Sequence, residues 1–171
     1  MAKLESSASA AAEDARMLGE QQVRGFMKSM GVGETIPENC DGKDFYSDLV
    51  AGILNVDQVQ RGKISCFVTV KPFVTNFYGG LHGGAVAVVT QKVSEACART
   101  VVAADKEIFL GELSLSYLSA APMNAELHVE ASIVRSGRNL TVVSVEFRFK
   151  NSGKLVYTAR STFYHMPPSK L

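Results

Sequence analysis

The stretch NFYGGLHGGAVAVVTQKVSE, residues 76–95, places two glycine pairs on either side of His82 and then continues as an apolar run. Glycine has no Cβ, so these pairs permit sharp turns and let a ligand approach the main chain closely. Residues 83–104 are rich in alanine and valine and apolar nearly all round, which predicts a long buried helix. We therefore predict a binding turn at the start of a buried helix.

Alternating apolar residues predict strands on both sides of this segment. One such pattern precedes the helix at residues 64–70, and four follow it at 113–117, 127–133, 143–149 and 155–159. Turn sequences at 135–139 and 151–154 join the later strands as hairpins. One strand, a long helix and a run of antiparallel strands predict an α+β fold, with one sheet curled around a central helix.

The N-terminal third of the chain predicts an extension to this fold. Apolar residues at helical spacing between positions 10 and 30 indicate an amphipathic helix, and a second short helix is predicted at 45–54. The predicted organisation is an extension with one or two helices (1–54), one domain (55–166) and an extended tail (167–171).

Composition argues against several classes of protein. The 171 residues correspond to about one domain. A net charge of +1 does not indicate the basic surface that nucleic-acid binding needs. No apolar run approaches the roughly 18 residues of a membrane span. Cysteines and histidines do not cluster at metal-ligand spacing, so we expect no metal and no cofactor. Cys66 and Cys97 are expected to be buried free thiols, and His128 and His165 to be surface residues.

Residues 76–84 read N-x-x-G-x-L-H-G-G, and this motif resembles the signature of small hotdog-fold acyl-CoA thioesterases. The similarity is to the phenylacetyl-CoA and 4-hydroxybenzoyl-CoA type and to the type of thioesterase superfamily member 2. It covers about residues 55–165, because segments at 116–120, 135–140 and 153–156 match in the same order. The resemblance implies a hotdog fold, an antiparallel sheet wrapped around a long central helix, and a homodimer or homotetramer.

The same resemblance implies hydrolysis of a fatty or aromatic acyl-CoA to free acid and coenzyme A. The start of a helix leaves N–H groups unpaired at the positive end of its dipole. A thioester carbonyl placed at Gly83 and Gly84 would be polarised there, and the oxyanion formed on attack would be stabilised. Asn76 could orient the water or the substrate as a hydrogen-bond donor or acceptor. His82 could bind the thioester region or hold the shape of the turn.

The resemblance also implies a place for coenzyme A. The turn 135–140 matches the family hairpin that lines the coenzyme A channel, and its two arginines suit phosphate oxygens. Two solvated arginines at a hairpin tip are the alternative. The predicted substrate-binding residues are Gly84, Tyr117, Ser119, Arg135, Gly137, Arg138 and Asn139.

One position departs from the family pattern. In the family, a carboxylate nine residues after the motif histidine acts as nucleophile or general base, at a site that the other subunit of a dimer completes. That position is Gln91 here, and glutamine can orient a water but cannot take its proton. A strand serine that assists in some members aligns with Leu110. Glu95, one turn further on the same helix face, is the nearest carboxylate and could act through a water.

The sequence therefore leaves two functions open. The first is an acyl-CoA thioesterase whose catalytic residues are Asn76, His82, Gly83, Gln91 and Glu95. The alternative is a catalytically weakened hotdog protein that binds acyl-CoA without efficient hydrolysis.

The tripeptide Ser169-Lys170-Leu171 matches the peroxisomal import address that a receptor reads at a free C-terminus. We therefore expect a peroxisomal location, a role in fatty acid metabolism and the import receptor as a partner. A fluorescent protein fused before Met1 should give a punctate peroxisomal signal, and deletion of residues 169–171 should make it diffuse. A punctate signal that survives the deletion would contradict the expectation.

Overall fold

The structure is a computed structural model that describes residues 21–25, 27–28 and 45–166. The chain separates into two units, Met1–Lys43 and Asp44–Leu171. In the first unit the described residues are helical and exposed. The rest of the predicted N-terminal helix and the import tripeptide lie outside the described residues, and the predicted domain bounds stay a prediction.

One antiparallel sheet and two helices make up the described part of the second unit. The sheet has six strands in the order β1-β2-β4-β5-β6-β3. The strands are β1 (Leu54–Gln60), β2 (Lys63–Thr69), β3 (Glu107–Tyr117), β4 (Glu126–Ser136), β5 (Leu140–Phe149) and β6 (Leu155–Met166). The helices are α1 (Phe45–Ala51) and α2 (Gly83–Arg99), and a 3-10 turn (Pro72–Val74) lies between β2 and α2. No helix among the described residues is long and apolar enough to span a membrane.

The core lies between α2 and one face of the sheet. Every second residue of the central strands is buried there, including Leu127, Val129 and Ala131 of β4 and Val143, Val145 and Phe147 of β5. The buried apolar residues of α2 recur at helical spacing: Ala85, Val86, Val89, Val93, Cys97 and Ala98. These two periodicities produce the predicted α+β architecture, a sheet around a long helix, which is confirmed.

The predicted extent and burial of the central helix were wrong. The helix ends at Arg99, and Thr100 is its C-cap. The Thr100 hydroxyl donates to the Cys97 carbonyl at 2.7 Å and accepts the Gly62 N–H at 2.8 Å. One stripe of α2, which includes Gln91 and Lys92, is exposed rather than buried. The sheet covers the opposite side of the helix, so this stripe is free to face a cleft.

Strand β1 was not predicted. Most of its side chains are exposed, and its register shifts between Val56 and Gln58, so the apolar residues do not alternate as in a half-buried strand. The predicted helix at 45–54 is correspondingly shorter, because α1 ends at Ala51 and Leu54 begins β1. Strand β3 likewise starts earlier than its pattern indicated, since a register shift between Leu110 and Glu112 breaks the alternation.

The two cysteines that the structure describes are buried free thiols, as predicted. Burial raises the pKa of Cys97 to about 11 and raises the pKa of Cys66 above its ordinary value. Both thiols are therefore protonated at neutral pH and are poor nucleophiles.

Both histidines predicted to be surface residues are half-buried and hydrogen-bonded. His128 Nε2 lies 2.7 Å from Ser65 Oγ, which donates to Asp57 at 2.9 Å. His165 lies within β6, where its ring contacts the Thr141 hydroxyl at 2.9 Å and the Arg138 carbonyl at 3.2 Å. For His165 the prediction failed because the predicted strand pattern ended at residue 159, whereas β6 continues to Met166.

Candidate active site

The loop before α2 is closed by Asn76. Its side-chain oxygen accepts the N–H groups of Tyr78 at 3.0 Å and Gly80 at 3.1 Å. Gly79 lies in this loop with φ +73°, a backbone conformation that favours glycine. The carbonyl oxygen of the Asn76 side chain is thus used within the protein. Of the donor and acceptor roles predicted for Asn76, only the donor Nδ2 remains for a ligand.

His82 caps the N-terminus of α2. Its Nδ1 accepts the Gly84 N–H at 3.0 Å, and its backbone N–H donates to the Val74 carbonyl at 2.8 Å. Because Nδ1 is the acceptor, the neutral ring carries its proton on Nε2. His82 therefore holds the shape of the turn with one nitrogen and keeps the Nε2–H free for a ligand.

Gly83 supplies the free N–H group of this turn. Among the described residues no acceptor lies within hydrogen-bonding reach of its N–H, whereas the Gly84 N–H is taken by His82. The prediction that both glycines offer unpaired N–H groups therefore holds for Gly83 and was wrong for Gly84. The Gly83 carbonyl accepts the Tyr117 hydroxyl at 3.0 Å, and a Cβ on Gly83 would lie 3.3 Å from that hydroxyl oxygen.

Tyr117 is held in place by aromatic packing at the end of β3. Its ring packs edge to face on Tyr157 with a centroid distance of 5.7 Å. Tyr157 is buried, packs on Phe147 in the same way, and accepts the Ala121 N–H at 3.2 Å. Burial raises the pKa of the Tyr157 hydroxyl, so it remains neutral. The chain of contacts connects the helix start to the core.

A cleft of about 640 Å³ opens beside the exposed stripe of α2. It lies between α1, the Pro72–Val74 turn and α2, and it brings His82 and Gln91 together. The residues that line it are Tyr46, Leu49, Phe73, Val74, Thr75, His82, Gly84, Ala85, Val88, Gln91 and Lys92. Much of its lining is apolar, and its polar groups come from Gln91 and Lys92 of α2 and from Thr75 and His82 before the helix.

Several other predicted site residues are outside this lining. Asn76 lies in the adjoining loop, Gly83 is the first residue of α2, and Tyr117 is the last residue of β3. Glu95 lies one turn beyond Gln91, roughly 6 Å further along the helix axis. Ser119 is half-buried, with its N–H donating to the Val156 carbonyl at 3.2 Å. The structure thus brings His82 and Gln91 to one cleft without Glu95.

The predicted coenzyme A hairpin lies at the other end of the sheet. Tyr117 pairs with Tyr157, whereas Leu140, next to the hairpin, pairs with Tyr164. Seven residues of β6 separate the two pairs, about 23 Å at roughly 3.3 Å per residue. Leu110 pairs with Phe163 and lies at the same far end. Within one chain the hairpin is therefore far from the helix start. This holds for its predicted binding residues Arg135, Gly137, Arg138 and Asn139.

The sequence did not identify the apolar wall of the cleft. Tyr46 and Leu49 come from α1 and Phe73 from the 3-10 turn, and only the folded chain brings them to α2. Lys92 was also missed, although it is adjacent to Gln91 in sequence. Among the described residues, no group of three or more histidine, cysteine or acidic side chains could hold a metal ion.

An antiparallel sheet around one long helix, with a glycine turn that opens the helix toward a cleft, defines the hotdog fold. The family model of the thioesterase superfamily matches residues 78–156, which include the glycine pairs, α2 and strands β3 to β5. Over these residues the chain is therefore similar to the thioesterase superfamily, in agreement with the resemblance in the sequence.

Known proteins support this assignment. A predicted esterase from Caenorhabditis elegans is 31% identical over 110 residues, and the match covers 64% of this chain and 64% of the relative, just under two thirds of its length. Acyl-coenzyme A thioesterase 13 from Homo sapiens is 26% identical over 113 residues, 66% of this chain and 80% of that protein. The crystal structure of zebrafish thioesterase superfamily member 2 has a TM-score of 0.66 at 25% identity, with 74% of this chain and 89% of that chain covered.

The hydrogen bond from Tyr117 to the Gly83 carbonyl should stabilise the helix start. Replacement Tyr117→Phe removes only the hydroxyl, so the free energy of unfolding in urea should fall by about 0.5–1.5 kcal/mol. Tyr164→Phe is the matched control, because this tyrosine is also half-exposed and its hydroxyl has no hydrogen bond within the described residues. Equal stability of the two variants and the wild type would show that the bond contributes nothing.

Proposed function

We propose that the protein is an acyl-CoA thioesterase that hydrolyses a fatty or aromatic acyl-CoA to free acid and coenzyme A. The observation that carries the proposal is the pair of free donors at the helix start, the Gly83 N–H and the His82 Nε2–H, beside a cleft that contains Gln91. A thioester carbonyl oxygen gains negative charge on attack, and fixed donors are what stabilises it. The activity named for the human relative supports the same reaction.

In this proposal the acyl group occupies the apolar cleft and the carbonyl oxygen accepts the Gly83 N–H. A water oxygen bonds to the carbonyl carbon, the C–S bond breaks, and the proton from the water passes to the coenzyme A thiolate or to solvent. The Gln91 amide orients the water, but it cannot remove the proton. Turnover by the wild type should therefore be slow.

Binding without efficient hydrolysis is the second candidate function. It is favoured by the absence of any aspartate or glutamate from the described lining of the cleft. A carboxylate is the usual general base for a water in such a site, and general-base assistance typically contributes about 10²–10⁴-fold to the rate. The two candidates differ only in whether bound acyl-CoA releases its thiol.

We also propose that the protein is a homodimer or a dimer of dimers. The predicted phosphate-binding arginines are far from the helix start within one chain, so a second copy would have to bring its hairpin there. Phe77 and Tyr78, next to the turn, are 98% and 91% exposed, and strand β3 forms an edge of the sheet. Exposed aromatic patches and open strand edges are typical of surfaces that another chain covers.

Restoring a carboxylate at Gln91 separates the two candidate functions. We expect slow thiol release from acyl-CoA by the wild type, a higher kcat for Gln91→Asp and a lower kcat for Gln91→Ala. The expected gain is at most about 10²–10⁴-fold, the range for general-base assistance. Gln58→Asp is the matched control, since it adds the same charge at an exposed position of β1.

Two other outcomes have distinct meanings. If Glu95→Ala abolishes activity and Gln91→Asp gives little gain, Glu95 is the base. If the wild type and Gln91→Asp both bind acyl-CoA tightly and neither releases thiol, the proposed hydrolysis is wrong and the binding function replaces it.

A further inference from the structure

The cleft beside α2 combines an apolar wall with one cationic side chain. Tyr46 and Leu49 of α1, Phe73 of the 3-10 turn and Val88 of α2 form the apolar wall. Lys92 is the only lysine, arginine, aspartate or glutamate in the described lining. A ligand that fills the cleft therefore contacts apolar side chains along its length and a positive charge at one end.

The charge of Lys92 has no described counter-ion. Within residues 45–166, the ion pairs formed by lysines and arginines are Lys63 with Glu130, Arg148 with Glu146 and Lys150 with Glu126. Lys92 is exposed along the stripe of α2 that faces the cleft. An anionic group in the cleft would thus be attracted without having to displace a described carboxylate.

The spacing along α2 sets the distance between this charge and the helix start. Gly84, Val88 and Lys92 are four residues apart in turn, so they lie on one stripe of the helix. The eight residues from Gly84 to Lys92 rise by about 12 Å. An extended hydrocarbon of roughly six to ten carbons covers that span, because the lysine stem is flexible and can reach toward it.

We propose that the cleft selects an acyl group with a terminal carboxylate, the mono-CoA thioester of a medium-length dicarboxylic acid. Its thioester carbonyl is at the Gly83 N–H, its methylene groups contact Leu49, Phe73 and Val88, and its carboxylate pairs with Lys92. The inference rests on the proposed function of this site, and it names the substrate class that the function leaves open.

A matched pair of substrates tests this selection. Octanedioyl-CoA and octanoyl-CoA have the same chain length and differ in the terminal carboxylate. We expect the wild type to prefer octanedioyl-CoA by about tenfold in kcat/KM, as a hydrogen-bonded charge pair would give. Lys92→Met keeps the length of the side chain and removes its charge, so it should raise the KM for octanedioyl-CoA about tenfold and leave that for octanoyl-CoA unchanged.

Lys154→Met is the control for a general change in net charge, because Lys154 is exposed in the β5–β6 hairpin, away from the cleft. It should affect neither substrate. An equal rise in KM for both substrates in Lys92→Met would mean that Lys92 contacts the coenzyme A phosphates, and this would overturn the inference. So would a wild type that does not distinguish the two thioesters.

The Kd of both thioesters, measured in parallel by calorimetry, distinguishes a failure of the proposed hydrolysis from a failure of the proposed selection by Lys92. Absence of thiol release from either substrate would contradict the proposed hydrolysis, while a tenfold preference in Kd that Lys92→Met removes would still support selection by Lys92. Thiol release without any preference for the carboxylate would support hydrolysis and overturn only the selection.

Discussion

The packing of α2 on the inner face of the sheet is the constraint on which the other features depend. The buried side chains of the helix fix its rotation, so Gly84, Val88, Gln91 and Lys92 face the cleft and not the core. Its first turn is fixed separately, by the His82 N–H on the Val74 carbonyl. Helix position and helix start together determine where a ligand could meet free N–H groups.

The turn uses its polar groups unequally, and this difference defines its chemistry. The Gly84 N–H donates to the His82 ring, and this hydrogen bond fixes the tautomer of the ring. The Gly83 N–H has no hydrogen-bond partner among the described residues. The side-chain oxygen of Asn76 likewise accepts two hydrogen bonds from N–H groups of its own loop. The remaining groups are donors, which suit a carbonyl that becomes negative, while no described carboxylate lines the cleft to remove a proton from water. This imbalance explains why slow hydrolysis and binding without hydrolysis both fit the proposed site.

Much of the fold could be predicted from the sequence, because α2 and five strands have clear periodicities. Strand β1 could not, since the shift after Val56 and its exposed side chains remove the alternation. The histidine and glycines of the turn were identified from their motif, but which N–H remains free depends on the rotamer of His82. The wall formed by Tyr46 and Phe73 depends on tertiary packing, so no local pattern could have indicated it. The distance from the arginine hairpin to the turn follows from strand register, which the sequence left open.

A crystal structure with a non-hydrolysable acyl-CoA analogue that retains the carbonyl tests the central claim most directly. We expect the carbonyl oxygen within about 3 Å of the Gly83 nitrogen, a hydrogen-bonding distance, with the acyl chain in the cleft beside Gln91. We further expect the phosphates beside Arg135 and Arg138 of a second copy of the chain. A carbonyl bound away from the helix start, with the Gly83 N–H facing solvent, would contradict the assignment of this turn as the thioester site.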